Sequence, residues 1–413
     1  MEYLVSRIPK RKGLRSDTNH LLPLRMENQT PNSLPFIMHL APGYYAGDAR
    51  LFHLECSSLH KAGYRVQLVA HSRSKDDFQC TVEFHSLGSV DEETWRWQVL
   101  KRLWRSYRSY QEARHSEAAL FHVHSPEFIT WGLRLKRKLG RKVIFDCRED
   151  FVGYALQRPG IPDFLRRPLA FLIGRQLESA ARNCDALIVA DQGTGDRLKG
   201  HAHRILVLHN FPRLDLFPYR EQREDEKSFD IVYHGTIPRY YMEVCLRIDD
   251  ALLEHGTQVR WRLINKGTPD MDWFRAELAR RGALQRFTLD GPVPHEQIAS
   301  EVRKARIGII LLPNLPMFQS NIPRKLFEFM ALGMPVVLSD LPPIRPFVSH
   351  GESAFLVSPD DYGAYAGAIA RLLNDADLRQ QMGAAGRRLV EQEYNWETES
   401  EKLLRLYSDL LSQ

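Results

Sequence analysis

The sequence predicts an α/β protein built from two doubly wound domains. Three observations carry that expectation: the length, the alternation of short apolar runs with longer amphipathic stretches, and a restart of that alternation after a charged run near the middle of the chain. At 413 residues, the chain is too long for one typical compact core and comfortable for two. Hydrophobic residues make up 43% and charged residues 26%, the balance of a soluble globular protein.

Residues 1–33 are basic, proline-bearing and aperiodic, which predicts a flexible arm. The first domain is expected over 34–212. Its strands are predicted at Phe36–Leu40, Arg65–Ala70, Leu120–His124, Val143–Cys147 and Ala186–Ala190, with helical patterns between them such as Ala49–Ala62 and Pro168–Asn183. Such alternation builds a parallel sheet covered on both faces. Arg220 to Lys227 is rich in charge, and 213–228 is read as the linker. The second domain, 229–393, restarts the pattern with strands at Phe229–Tyr233, Val259–Ile264, Ile307–Leu312 and Pro335–Leu338. Helices follow at Tyr365–Leu373 and Leu378–Glu391, and a last amphipathic helix lies within 394–413. Ligands of such sheets bind beyond the carboxyl ends of the strands, where strand order reverses, so the chemistry is expected in the cleft between the domains.

Several classes are disfavoured. No apolar run reaches the ~20 residues of a membrane span. The N-terminus shows no apolar stretch after its charges, so a cytosolic protein without a secretory signal is the expectation. The five cysteines are scattered, with no C-x-x-C pair, which argues against disulfides or a cysteine zinc site. A net charge of +6 and a pI near 9.0 suit an anionic partner. Without a helix-turn-helix, zinc-finger or RNP-type pattern, nucleic acid ranks below nucleotides and lipids. No G-x-G-x-x-G follows the first strand, which disfavours a dinucleotide enzyme.

The segment Asn321 to Ser339 carries most of the functional information. Pro323 suits a helix start and Gly333 a left-handed helix end. Leu326, Phe329 and Met330 share one face for packing, while Lys325 and Glu328 share another. A cation and a carboxylate thus leave one helix start together. That pairing fits a nucleoside diphosphate, the cation and helix N-terminus taking phosphate and the carboxylate taking two ribose hydroxyls. Taken alone, Glu328 also reads as the surface partner of Arg324 or Lys325.

The stretch Pro323 to Val337, PRKLFEFMALGMPVV, resembles the nucleotide-binding helix of glycosyltransferase family 4. The resemblance continues in Gly47-Asp48-Ala49-Arg50, in Glu55 to Leu59, in Ala62 to Val66, in His122-Val123-His124-Ser125-Pro126-Glu127, in Phe145 to Asp150 and in Val207 to Pro212. It implies the GT-B fold: two Rossmann-like domains facing a cleft, with the C-terminal helix crossing back to the first. By the same resemblance Glu328 binds the ribose, Arg239 and Lys325 hold the diphosphate, and Gly47 and Gly235 let backbone approach it. Glu127, Arg148 and Glu149 are then expected at strand ends on the acceptor side, as the catalytic set.

The sequence departs from the family pattern in three places. Ser320 stands where many members carry a sugar-contacting glutamate; hydroxyls and amides at Ser320 and Asn321 are its candidate replacements. Arg148 stands where a histidine often meets the transferred sugar, and an arginine accepts no proton at neutral pH. It is read either as an anion-binding group or as an ion-pair partner of Glu149 or Asp150. The lysine that usually follows the glycine of the second domain is absent.

Asp270-Met271-Asp272 spells the metal motif of a different fold, but it precedes a predicted helix and is read as a cap. His122 and His124 are read as hydrogen-bonded scaffold, with His124 facing the cleft. No metal and no bound cofactor are expected. The stretch Glu93 to Arg114 interleaves Trp and Tyr with Arg and Lys. It is read as a helix packed on the sheet by Leu100, Leu103, Trp104 and Tyr107, or as a surface that docks on anionic lipid at the inner face of the membrane.

The resulting expectation is a retaining, metal-independent transferase that moves a sugar from a nucleotide-diphosphate sugar to a saccharide or lipid-linked saccharide in cell-surface polysaccharide assembly. A non-catalytic nucleotide-sugar-binding relative and a sugar-nucleotide epimerase remain as alternatives.

Overall fold

The computed structural model describes residues 35–412 apart from 73–79, 90–94, 158–160, 222, 266, 269, 316–317 and 320–321, and for 95–99 and 157 the backbone alone. The predicted arm 1–33 lies outside the described residues, as do Ser320 and Asn321.

Two parallel sheets form the molecule. The first holds β1 (Phe36–Tyr45), β2 (Arg65–Ser72), β3 (Glu83–Ser89), β4 (Leu120–Val123), β5 (Lys142–Cys147), β6 (Ala186–Val189) and β7 (Ile205–Val207). Their order is β3-β2-β1-β4-β5-β6-β7. The second holds β8 (Phe229–Gly235), β9 (Trp261–Asn265), β10 (Phe287–Asp290), β11 (Ala305–Ile310), β12 (Val336–Ser339) and β13 (Phe355–Val357), in the order β10-β9-β8-β11-β12-β13. Strand order reverses between β1 and β4 and again between β8 and β11, which puts a binding crevice at each carboxyl edge. The central strands β4, β6 and β12 are buried at every residue, as expected where helices cover both faces.

The outer strands β3, β7, β10 and β13 went unpredicted. Glu83–Ser89 and Phe287–Asp290 carry polar residues at positions that face solvent at the sheet edge, and β7 and β13 are three residues long. The predicted helix Ala49–Ala62 is a π-helical stretch, Ala49–Cys56, continued by one short α-helix, Ser57–Lys61. Asp48 caps it by accepting from the Leu51 amide at 3.0 Å.

The helix Trp396–Leu411 leaves the second sheet and packs on the first. Trp396, Leu403, Leu406, Tyr407 and Leu410 join Ile37, Leu51, Leu68 and Ile144 in one core. Trp396 Nε1 donates to Ser58 Oγ at 2.8 Å, and Glu399 accepts from the His209 amide at 2.9 Å.

The helix Trp95–Arg114 differs from one of its two expected readings. Leu100, Leu103, Trp104 and Tyr107 are roughly half exposed, whereas Arg105, Ser106, Ser109, Tyr110 and Ala113 face the sheet. Arg105 Nε donates to the Pro42 carbonyl at 3.1 Å, which satisfies the buried guanidinium. The apolar stripe therefore looks outward.

Candidate functional site at the facing strand ends

The donor-side half is built on β8, β11 and the helix Arg324–Ala331. Pro323 caps that helix in extended conformation, and Gly333, at φ 65°, ends it. Gly308 of β11 sets its height: a Cβ there would stand 2.6 Å from the Phe329 ring, so only glycine lets the helix settle this close. The close seat buries Glu328 to 2% exposure.

Glu328 is held from two sides. Arg324 Nε lies 2.8 Å from its Oε1, and His234 Nε2, from the end of β8, lies 3.2 Å from its Oε2. Burial works against the carboxylate, but Arg324, His234 and His295 hold it well below the usual carboxylate range. It is ionised at neutral pH. Lys325 meets the same end of β8 one residue on. Gly235 has φ 109°, and a Cβ on it would stand 2.8 Å from Lys325 Cε and 3.1 Å from Nζ. A flat, side-chain-free surface thus lies directly under an ammonium, beside a buried carboxylate. Lys325 Nζ is 5.0 Å from the Tyr233 ring centroid.

Arg239 opens the next helix, Arg239–Glu254. Its described partners are Glu243, at 3.1 Å, and the face of Trp273, 4.0 Å from the ring centroid.

The facing half comes from the loop after β1 and the end of β5. Arg148 Nη2 pairs with Asp48 Oδ1 at 2.5 Å, not with Glu149 or Asp150. Its guanidinium lies over the Tyr44 ring at 4.4 Å, while the buried Nη1 finds no hydrogen-bond partner among the described residues. Burial opposes ionisation of Asp48, yet Arg148 and the Leu51 amide hold its pKa at about 2. Gly47 precedes it, and a Cβ there would meet the Tyr45 ring at 2.7 Å. Glu149 is exposed. Glu127 sits in the turn Pro126–Phe128 and pairs with Arg102, 2.8 Å from Nη2.

Two histidines join the halves, and neither stood out in the sequence. His53 Nε2 is 3.3 Å from Glu296 Oε1, and its ring centroid lies 5.2 Å from that of His295. His295 opens the helix His295–Val302. Burial, with the nearby Arg324, lowers its pKa to about 4, so it is neutral at pH 7. Pro294 before His295 marks a helix start, but no spacing rule links it to residue 53.

Behind the first half lies a buried polar cluster. Arg50 bonds both oxygens of Asp146, at 2.9 and 3.0 Å, and the Leu208 carbonyl at 2.8 Å. His124 Nδ1 lies 3.3 Å from Asp146 Oδ2, and His39 Nδ1 lies 2.9 Å from His124 Nε2. Tyr407 OH is 2.7 Å from His122 Nδ1. His124 is fully buried, so it does not face the cleft as its place on the strand end suggested. Burial lowers the pKa of all three histidines and raises that of Glu55. Asp270 stands at the start of the helix Met271–Arg280 without a side-chain capping bond.

Comparison with known proteins fits this architecture. The model described as Glycosyltransferase Family 4 matches residues 47–216, on the first sheet, and the model described as Glycosyl transferases group 1 matches residues 228–375, on the second. A phosphatidyl-myo-inositol mannosyltransferase of Mycobacterium leprae is 30% identical over 170 residues, 41% of this chain and 43% of that protein. The match thus spans under half of that curated relative's length. Sucrose-phosphate synthase from Thermosynechococcus elongatus superposes with a TM-score of 0.71 at 18% identity, covering 92% of this chain and 100% of that one. Anabaena HepE in complex with UDP and glucose gives 0.65 at 14% identity, covering 91% and 100%. At such identities the likeness concerns the fold, and that fold is GT-B. Two family models in sequence, one on each sheet, and the shared two-sheet architecture agree: this chain belongs to glycosyltransferase family 4.

Proposed function

We propose that the protein transfers a glycosyl unit from a nucleotide-diphosphate sugar to a hydroxyl of a saccharide or lipid-linked saccharide, with retention at the anomeric carbon. The observation that carries this reading is the buried, ionised Glu328 beside Lys325 and Gly235 at the reversal point of the second sheet, opposite Asp48 and Arg148 of the first. Glu328 accepts from two ribose hydroxyls. Lys325 and the bare backbone at Gly235 receive the diphosphate, and its developing charge is stabilised by groups already in position. Ser320 and Asn321 are proposed for the sugar.

Among the described residues of the facing half, Arg148 is a cation, Asp48 is paired with it and His53 lies against Glu296. In this reading the acceptor hydroxyl attacks the anomeric carbon on the face from which the diphosphate leaves. The bond to the diphosphate oxygen breaks, the new glycosidic bond forms, and the hydroxyl proton passes to the departing diphosphate. Arg148 Nη1, buried and unpartnered among the described residues, is the group that meets an anionic part of donor or acceptor. Glu127 and Glu149 line the acceptor path, and no metal ion takes part in the transfer.

A lipid-linked acceptor fits the outer face of the first domain. Leu100, Leu103, Trp104 and Tyr107 lie exposed on one helix, and Phe164, Phe171 and Leu172 on another, Asp163–Asn183. Arg108 stacks on Trp104, with its guanidinium 5.0 Å from the ring centroid. Apolar rings among arginines suit the interface of an anionic membrane. No described helix is long and apolar enough to cross one.

Nucleotide release from a panel of donors, with a cell-envelope glycolipid extract as acceptor, tests the reading. Turnover that is lost in Glu328→Ala supports it. Donor binding without turnover under any acceptor instead favours a nucleotide-sugar-binding relative without catalysis.

A further inference from the structure

We propose that His39, His122, His124 and Glu55 form a structural zinc site inside the first domain. His39 and His122 are register partners on the adjacent strands β1 and β4. His124 is two residues on, so its side chain leaves the same face. Glu55 descends from the π-helical stretch Ala49–Cys56, an irregularity that is frequent at functional sites. One nitrogen from each imidazole and one Glu55 oxygen lie within 4.8 Å of one another, and all four residues are fully buried.

Three imidazoles and one carboxylate form a donor set that zinc favours. The surroundings have the form of an outer shell that orients ligands. Asp146 accepts from His124 Nδ1, Tyr407 OH touches His122 Nδ1, and Arg50 Nε lies 2.8 Å from Glu55 Oε1. Part of the ligand set is left without a hydrogen bond. Glu55 Oε1 has the Arg50 ion pair alone, and Glu55 Oε2 and His122 Nε2 lack a hydrogen bond among the described residues. Such groups are costly to bury unpartnered.

Charge points the same way. Arg50 is matched by Asp146 through two hydrogen bonds. Arg50 thus faces two carboxylates, Asp146 and Glu55, and with neutral imidazoles the buried pocket holds one more anion than cation. Either a cation or a proton must neutralise it. A tetrahedral site with bonds of about 2.0 Å has ligand edges of about 3.3 Å. The 2.9 Å between His39 and His124 already approaches this, and the widest gap closes with shifts of about an ångström. The ion would pin β1 to β4 and to the stretch that begins at Asp48. Through Tyr407 it would also pin the C-terminal helix.

The test uses the full chain, purified without a metal-affinity tag. Elemental analysis after dialysis should find about one zinc per chain, and cobalt exchange should give the visible absorption of a tetrahedral cobalt centre. Glu55→Gln and His122→Asn should each cut retained zinc at least tenfold while circular dichroism shows a folded protein. Chelation of the wild type should lower its melting temperature, and added zinc should restore it. Substoichiometric zinc together with no cobalt spectrum in the wild type overturns the proposal and leaves a proton on Glu55. Undiminished zinc in both variants, if they are folded, overturns it as well.

Discussion

Replacing Glu328 by glutamine separates its two roles. The swap keeps the shape and removes the charge. In the protein the carboxylate is 2% exposed, 2.8 Å from Arg324 and 3.2 Å from His234. If it also accepts from two ribose hydroxyls, the variant, which keeps one acceptor oxygen, loses one charge-assisted hydrogen bond, about 1.5–3 kcal/mol. That is about a 10- to 150-fold loss of affinity for a nucleoside diphosphate. Inorganic pyrophosphate has no ribose and reads only Lys325, Gly235 and the helix start. Its affinity should therefore hold or rise slightly, because the site has lost a negative charge. Calorimetric titration of wild type and variant with both ligands measures the contrast. An equal loss for the two ligands, or none for the nucleotide, would refute the ribose role and leave Glu328 as the partner of Arg324.

Three further outcomes follow from the same geometry. Gly235→Ala places a Cβ at φ 109° and 2.8 Å from Lys325 Cε; it should cost about 1–2 kcal/mol in chemical denaturation and weaken pyrophosphate binding. Asp48→Asn should destabilise by about 2 kcal/mol at pH 7, since the Asp48 pKa falls from 3.8 to about 2 in the folded protein and each pKa unit is worth about 1.36 kcal/mol. Because that folded value is depressed, the contribution is complete above the unfolded pKa and fades as pH drops through about 4 towards 2; denaturation curves from pH 7 downward should show the two proteins converging only at the acid end. The double variant Leu103→Asp with Trp104→Asp should sediment with anionic vesicles at least tenfold less than wild type, given about 1.5–3 kcal/mol per buried apolar side chain; binding unchanged by the substitutions rejects this face as the docking surface.

The sequence exposed what local chemistry dictates. The helix end at Gly333 was readable from its turn requirement, and the C-terminal helix Trp396–Leu411 from its periodicity. The central strands β4, β6 and β12 were legible because burial on both faces makes them continuously apolar. The edge strand β3 was not, since its polar residues answer to solvent and not to a core. The juxtaposition of Lys325 and Glu328 follows from helix geometry. By contrast, Arg148 with Asp48 and His53 with His295 are meetings between segments remote in the chain, and only the folded topology creates them. The outward face of the helix Trp95–Arg114 was hidden for a different reason. Its buried side contains Arg105 and two serines, so hydrophobicity pointed to the wrong face.

The return of the helix Trp396–Leu411 to the first sheet has a consequence for biosynthesis. Tyr407 and Trp396 fill the core beneath β1 and β2, and Tyr407 closes the polar cluster against His122. The first lobe to leave the ribosome therefore lacks part of its interior until almost the whole second lobe has been translated. Domains commonly fold in the order of their synthesis, but here the second lobe can finish while the first still exposes apolar surface. Until this sixteen-residue helix docks, the nascent chain presents the cleft's first wall half-built, to chaperones and to proteases alike.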